Sequence, residues 1–352
     1  MASVARLASQ RCARYLGYTY CPAYSLPCKM TYFSATRKVL PDGVFPTMIT
    51  PMNDDKSVDW AGVDLLTEWY IRSGVAGIFS ICLSSEMFQL TNEERIAVAK
   101  RVADKAAGRV PVVAGATFEG SLEDQAELMN KMAPNVDAVV IITNQIGNMS
   151  DSDEVWMENV EKLMKLTGDK PLGFYETPVP KARWLTTDMM EWAARSKRFV
   201  FHKDTSISTS TMVDKIKAVQ SVSGTSLKFY TAKSPFVKIC MEHGGNGFSG
   251  VSPNFYPWVM SWVCRNMHDK SGHLDQAMRF ISITDGTIQR RYPTSAKHYL
   301  AQEYGAPFKA VSRVISDQIT DQDCFSLKSV REEMERLCQE IGATPVNITD
   351  CH

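Results

Sequence analysis

Beyond residue 43 the chain alternates between two hydrophobic patterns. Short continuous apolar runs occupy 44–50, 75–83, 110–114, 136–143, 172–175, 199–203, 227–230 and 247–251. Between them lie longer segments in which apolar positions recur every three or four residues: 60–73, 91–107, 121–133, 153–166, 188–196, 209–219, 235–243 and 255–267. The first kind predicts strands covered on both faces, the second amphipathic helices. Helix starts are marked locally: TNEE at Thr91–Glu94 is a capping box, with Thr91 as cap and Glu94 three residues on. Eight strands and eight helices in strict alternation, within roughly 225 residues, have the size and order of a (β/α)8 TIM barrel. A doubly wound open sheet is the alternative, but no GxGxxG follows any predicted strand. After Asp269 the strand pattern stops, and 274–290, 294–304 and 326–341 read as helices. The expected architecture is an α/β barrel over 39–268 with a C-terminal helical appendage over 269–352.

Composition narrows the function classes. The 352 residues carry 39 basic and 39 acidic side chains, with 44% hydrophobic and 22% charged content. A balanced charge gives no support for nucleic-acid binding or a polybasic membrane surface. No apolar run approaches the roughly 20 residues of a membrane-spanning helix, so no membrane partner is expected. Residues 1–38 differ from the rest. They contain no Asp or Glu but hold Arg6, Arg11, Arg14, Lys29, Arg37 and Lys38 among Ser, Ala and Tyr. That pattern resembles a mitochondrial transit peptide; a disordered basic leader of a cytoplasmic protein, or a start at Met30, also fits it. The nine cysteines are dispersed without CxxC spacing, which suits reduced thiols in an intracellular compartment. The six histidines show no HxxH or HExxH pattern, so no metal and no cofactor are expected.

Candidate chemistry gathers between Phe174 and Ser206. Tyr175 and Lys203 each close a buried strand at the end where barrel enzymes place their active sites. Desolvation there disfavours a charged lysine, and a neutral amine is the nucleophile that forms a Schiff base with a ketone. Tyr175 can donate and accept a proton. The other reading of Lys203 is a side chain that reaches solvent and pairs with Asp204. Strand alternation predicts Phe199, Phe201 and Lys203 on one side and Val200 with His202 on the other, toward the helices, which makes His202 structural.

The residues in these positions resemble the dihydrodipicolinate synthase/N-acetylneuraminate lyase family of class I aldolases over roughly 42–345. ITPM at Ile49–Met52 resembles the family's first strand end, and the segment from Gly74 to Arg95 resembles its second strand, GTTGE loop and following helix. YETP at Tyr175–Pro178 is similar to YNxP, and HKDTS at His202–Ser206 to the Schiff-base motif. GNGFSGVSPNFYP at Gly245–Pro257 resembles strand 8 and its sequel. The resemblance implies that Lys203 forms an imine with pyruvate or another 2-oxo acid and that Tyr175 relays a proton. It implies that Ser84, Ser85, Gly250 and Val251 line the substrate-binding pocket and that the chain assembles as a homotetramer. It further implies that Glu86 holds its loop.

The chain also departs from the family's pattern. Its GTTGE is CLSSE, so Leu83 stands where a relay threonine is expected; the loop after strand 4 is TNQ at Thr143–Gln145 instead of PYY; the YNxP asparagine is Glu176. Pro180, followed by Lys181, replaces the arginine that dihydrodipicolinate synthases carry there. Glu176 and Lys181 read either as recognising a different aldehyde or as a solvated surface pair. Two function classes follow: a lyase acting on a 4-hydroxy-2-oxoglutarate-type or sugar-acid substrate, and a member that has lost catalysis and persists as a binding or structural oligomer.

Overall fold

The computed structural model describes residues 39–314 and 318–351. The leader, and with it the transit-peptide expectation, lies outside the described residues. Eight parallel strands curl into a TIM barrel: β1 Gly43–Val44, β2 Ile78–Ile81, β3 Val112–Gly115, β4 Ala138–Ile142, β5 Leu172–Tyr175, β6 Phe199–Asp204, β7 Lys228–Thr231 and β8 Gly247–Phe248. Neighbours pair in chain order from β2 to β8, and β8 pairs with β1. The seam between β1 and β2 closes through the parallel bridge Thr47 to Phe79, with the Met48 N–H donating to the Phe79 carbonyl at 3.0 Å.

β1 is much shorter than the 44–50 run because Pro46 brings no N–H to the ladder. β8 likewise ends at Phe248, and Ser252–Asn254 turn as a single 3-10 turn. Around the sheet run α1 Trp60–Arg72, α2 Asn92–Ala106, α3 Leu122–Met132, α4 Asp153–Leu166, α5 Thr187–Arg195, α6 Thr209–Gln220, α7 Val237–Glu242 and α8 Pro257–Arg265. Their N-caps are the expected short polar residues: Thr91 and Glu94 reciprocate at α2, and Asp59 accepts from the Gly62 N–H at α1. Three more helices follow, α9 His273–Ile288, α10 Thr294–Tyr304 and α11 Asp321–Ile341. α11 starts earlier than the expected 326 because Thr320 and Asp323 form a second capping box. No helix among the described residues is long and apolar enough to cross a membrane. Six described cysteines, Cys82, Cys240, Cys264, Cys324, Cys338 and Cys351, are free thiols.

The barrel interior is plugged by aromatic rings. Phe45 lies 5.5 Å from Phe201 and 4.8 Å from Tyr230, and Phe79 lies 5.5 Å from Phe201. Gly77 is required beside them, since a Cβ there would sit 2.0 Å from the Phe45 ring.

One sequence expectation fails. Phe199 does not share the inner face with Phe201 and Lys203. It stacks on Phe174 at 4.1 Å and faces Trp192 of α5 at 5.9 Å, on the helix side. The β5–β6 register skips there, from Leu172 opposite Phe199 to Gly173 opposite Phe201. The extra residue is a β-bulge that reverses the alternation at the start of β6. From Phe201 onward the expected order holds, with Lys203 inward and His202 against Phe229 on the outer side.

Candidate active site

Lys203 and Tyr175 are paired residues of β6 and β5, so the sheet register sets them side by side. The Lys203 Nζ lies 4.0 Å from the centroid of the Tyr175 ring and 5.6 Å from that of Phe79. Only 5% of Lys203 is exposed. Burial, assisted by the nearby Lys233 and opposed by Cys82, lowers its pKa to about 8. Burial also pushes the Tyr175 phenol up, so the neutral hydroxyl is its resting form.

The alternative pairing of Lys203 with Asp204 is ruled out by direction. Asp204 points outward and accepts from the Lys215 ammonium at 3.0 Å and the Ser206 hydroxyl at 2.7 Å. Glu176 and Lys181 do not form a surface pair either. Lys181 is exposed, whereas Glu176 is fully buried beside Asp204. Its carboxylate accepts from Lys215 at 2.7 Å and from the Leu185 N–H at 2.8 Å. Burial raises the Glu176 pKa and Asp204 adds to the rise, while Lys215 pulls against both. His202 sits in the same outer cluster, 4.0 Å from Glu176, and burial together with Lys215 lowers its pKa to about 3, which keeps the ring neutral. Ligand atoms of Glu176, His202 and Asp204 fall within 4.8 Å of one another, a donor set able to hold a cation. The Lys215 ammonium, bonded to both carboxylates, takes the cation's place.

Above Lys203 the barrel mouth is lined with hydroxyls. The turn after β2, Leu83–Ser85, brings Ser84 to Thr47, the two side chains 2.9 Å apart with Ser84 donating. Thr47 in turn donates to the Gly250 carbonyl at 2.7 Å. Ser84 and Gly250 are therefore linked through Thr47, a residue that sequence reasoning missed although it lies in the strand-1 run. Ser85 is placed differently. Its hydroxyl donates to the Cys82 carbonyl at 2.7 Å and accepts from the Cys82 N–H at 2.9 Å, so it shapes the turn. The Val251 carbonyl accepts from the Asn254 side chain at 3.0 Å. Glu86 holds the loop: its carboxylate binds the Lys297 ammonium of α10 at 2.6 Å and the Ser312 hydroxyl at 2.9 Å, all buried.

The TNQ turn is a fastener. The Asn144 amide donates to the carbonyls of Val179 at 2.8 Å and Lys181 at 2.9 Å, and Thr143 donates to that of Arg183 at 2.8 Å. These bonds fix the loop after β5. Arg183, the nearest arginine to Pro180 in sequence, is directed away, onto the Asp151 carbonyl and the Asp153 carboxylate, while Arg95 lines the same cavity as Pro180 and lies over the Phe118 ring.

A buried, unpaired lysine beside a tyrosine at the C-terminal mouth of a parallel barrel is the arrangement a Schiff-base lyase requires. Residues 40–311 match the dihydrodipicolinate synthetase family. The chain belongs to that family, whose members are carbon–carbon lyases. Among its relatives is the 4-hydroxy-tetrahydrodipicolinate synthase of Gluconacetobacter diazotrophicus, 25% identical over 260 residues, 73% of this chain and 85% of the relative. The enzyme of the same name from Anaplasma marginale (strain St. Maries) is 23% identical over 310 residues, 85% of this chain and 97% of the relative. YagE, a prophage protein of the dihydrodipicolinic acid synthase family from E. coli K12 solved in complex with pyruvate, superposes with a TM-score of 0.74 at 20% identity, covering 84% of this chain and 98% of its own. A monomeric dihydrodipicolinate synthase variant superposes with a TM-score of 0.75 at 16% identity, covering 84% of this chain and 98% of its own. At these identities the two structures speak for the fold.

Proposed function

We propose that this lyase is a class I aldolase in which Lys203 forms the Schiff base with pyruvate or a longer 2-oxo acid. The observation that carries the reading is the Lys203 ammonium, buried with no carboxylate beside it among the described residues and lowered to about 8, set against Tyr175. The neutral amine attacks the 2-oxo carbon, and loss of water leaves an iminium. In the cleavage direction the C3–C4 bond breaks. Its electron pair moves to the iminium nitrogen, the C4 hydroxyl proton leaves as the aldehyde forms, and a proton is returned to C3 of the enamine. Tyr175 is the group placed to relay that proton: the neutral phenol hands its own proton toward C3 as it takes the one from the C4 hydroxyl, and so is regenerated. Release needs only water, so the cycle balances without a redox partner.

The aldehyde side differs from that of the named relatives. A carboxylate-bearing aldehyde such as aspartate semialdehyde calls for a guanidinium clamp. Here Pro180 offers neither charge nor donor, and Arg183 is engaged with Asp151 and Asp153. A sugar-acid substrate, whose aldehyde half carries hydroxyls in place of a carboxylate, fits this reading better than aspartate semialdehyde; a 4-hydroxy-2-oxoglutarate-type substrate keeps a carboxylate on that half and needs another cation, for which Lys181, exposed beside Pro180, is the candidate. The homotetramer implied by the resemblance belongs to the same proposal. The test is borohydride trapping with pyruvate followed by peptide mapping. One reduced adduct at Lys203, absent from Lys203→Ala, is the expected result; an adduct on another residue, or none, overturns it.

A further inference from the structure

Tyr292 lies outside the eight strand–helix units, in the connection between α9 and α10. Even so, its phenol reaches the hydroxyl cluster at the barrel mouth. The fully buried Asn254 is the hub there. Its amide nitrogen donates to the Tyr292 oxygen at 3.0 Å and to the Thr47 carbonyl at 2.9 Å, while its amide oxygen accepts from Tyr70 of α1 at 2.5 Å. The Ser84 and Thr47 hydroxyls belong to the same cluster, joined to each other at 2.9 Å and to Asn254 through the Thr47 carbonyl.

Counting protons gives this cluster a direction. The Thr47 proton goes to the Gly250 carbonyl, and the Ser84 proton goes to Thr47. Tyr292 receives from Asn254, so its own proton is left to meet a further acceptor at the barrel mouth. A carboxylate arriving over Ser84 would meet a phenolic donor held in the same hydrogen-bonded cluster. The segment is anchored at both ends: Arg291 binds Asp323 of α11 at 2.7 Å, and Lys297 binds Glu86, the residue after Ser85, at 2.6 Å. The Tyr292 ring also stands near Phe255, at 6.5 Å.

Resting on the Schiff-base reading of the same pocket, we propose that Tyr292 is a substrate-binding residue: its hydroxyl donates to the carboxylate of the 2-oxo acid beside Ser84. The C-terminal helical segment thereby completes the site and selects for acids over neutral ketones. The step is a hydrogen bond and changes no covalent bond.

The test is Tyr292→Phe, which keeps the ring against Phe255 and removes only the hydroxyl. Pyruvate affinity is read by calorimetry, and in parallel by the pyruvate concentration needed for half-maximal borohydride trapping; methyl pyruvate, a neutral ester of the same shape, is the control. Loss of one hydrogen bond to a charged group predicts about a 10- to 100-fold weaker affinity for pyruvate, with methyl pyruvate changed less than about threefold and the maximal extent of trapping retained. Unchanged pyruvate affinity, or equal losses for acid and ester, overturns the proposal. Failure of the parent protein to trap pyruvate would remove the Schiff-base reading instead, while the calorimetric comparison still decides the role of Tyr292.

Discussion

A lysine held in the barrel as a nucleophile destabilises the fold, and the size of that cost follows from its pKa. Lys203 titrates at about 8 in the folded chain against an ordinary 10.5. Each unit is worth about 1.4 kcal/mol, so carrying the charge inside costs about 3 kcal/mol. The sign follows from proton counting. Between the two pKa values the unfolded chain holds a proton that the folded chain has released, so stability rises with pH across that window. The cost is full below pH 8 and gone above 10.5. Lys203→Met keeps the length of the side chain and removes the charge. It also removes the attraction to the Tyr175 ring at 4.0 Å, worth about 1 kcal/mol or more. The net expectation is a variant about 1–2 kcal/mol more stable than the parent at pH 6.5, with the gain shrinking as pH approaches 10. Urea unfolding of both proteins at pH 6.5, 8 and 9.5 measures it, and the rate of borohydride trapping in the parent should rise with a midpoint near 8. A variant less stable than the parent at pH 6.5, or a difference that ignores pH, would refute the account of Lys203 as a desolvated, unpaired amine.

Two further outcomes test the surroundings. Tyr175→Phe should still form the imine yet lose about 10²–10⁴-fold in turnover, the range of a general acid–base group; a steady-state rate near that of the parent, measured alongside trapping, would assign the proton transfer elsewhere. Lys215→Met leaves Glu176 and Asp204 buried without their cation and should cost about 3–5 kcal/mol in urea unfolding, whereas Lys217→Met, whose side chain is mostly exposed, should cost less than about 1 kcal/mol.

How far the site could be read from the chain depends on how local each feature is. The eight strands were legible because each apolar run is bounded by turn-formers, and Lys203 and Tyr175 because they close such runs. The late start assigned to α11 was avoidable, since Thr320 and Asp323 carry a capping signal as plain as that of Thr91 and Glu94. The burial of Glu176 was not legible. Its cation, Lys215, is 39 positions away on α6, and only the packing of that helix on β5 and β6 brings the two together. Tyr292 was hidden for the same reason. It sits between two helices with no periodic partner, and its contact with Asn254 arises only when α10 docks through Lys297 onto Glu86. The TNQ turn was legible as a missing tyrosine but not as the clasp on Val179 and Lys181.

The bulge in β6 connects the packing to the chemistry. Three buried lysines face the same desolvation and differ in their counterions. For Lys215, burial works against the charge but Glu176 and Asp204 outweigh it, and the pKa rises. For Lys297, burial prevails over the single carboxylate of Glu86, and the pKa falls. Lys203 has no carboxylate beside it among the described residues and falls to about 8. Asp204 is its immediate neighbour in sequence, so what keeps the two apart is strand direction. Side chains alternate along β6, and the extra residue after Phe199 sets the phase in which Phe201 and Lys203 point inward and His202 and Asp204 outward. A slip of one position would turn Asp204 toward Tyr175 and Lys203 toward Glu176. The amine would then acquire a counterion and stay protonated, and the barrel would keep a carboxylate where it needs a nucleophile. The stacking of Phe199 on Phe174 and the bonds of Lys215 to Asp204 and Glu176 both oppose that slip. The outer cluster, which touches no reacting atom in this scheme, thus supports the reactivity of Lys203 by holding Asp204 on the far side of the strand.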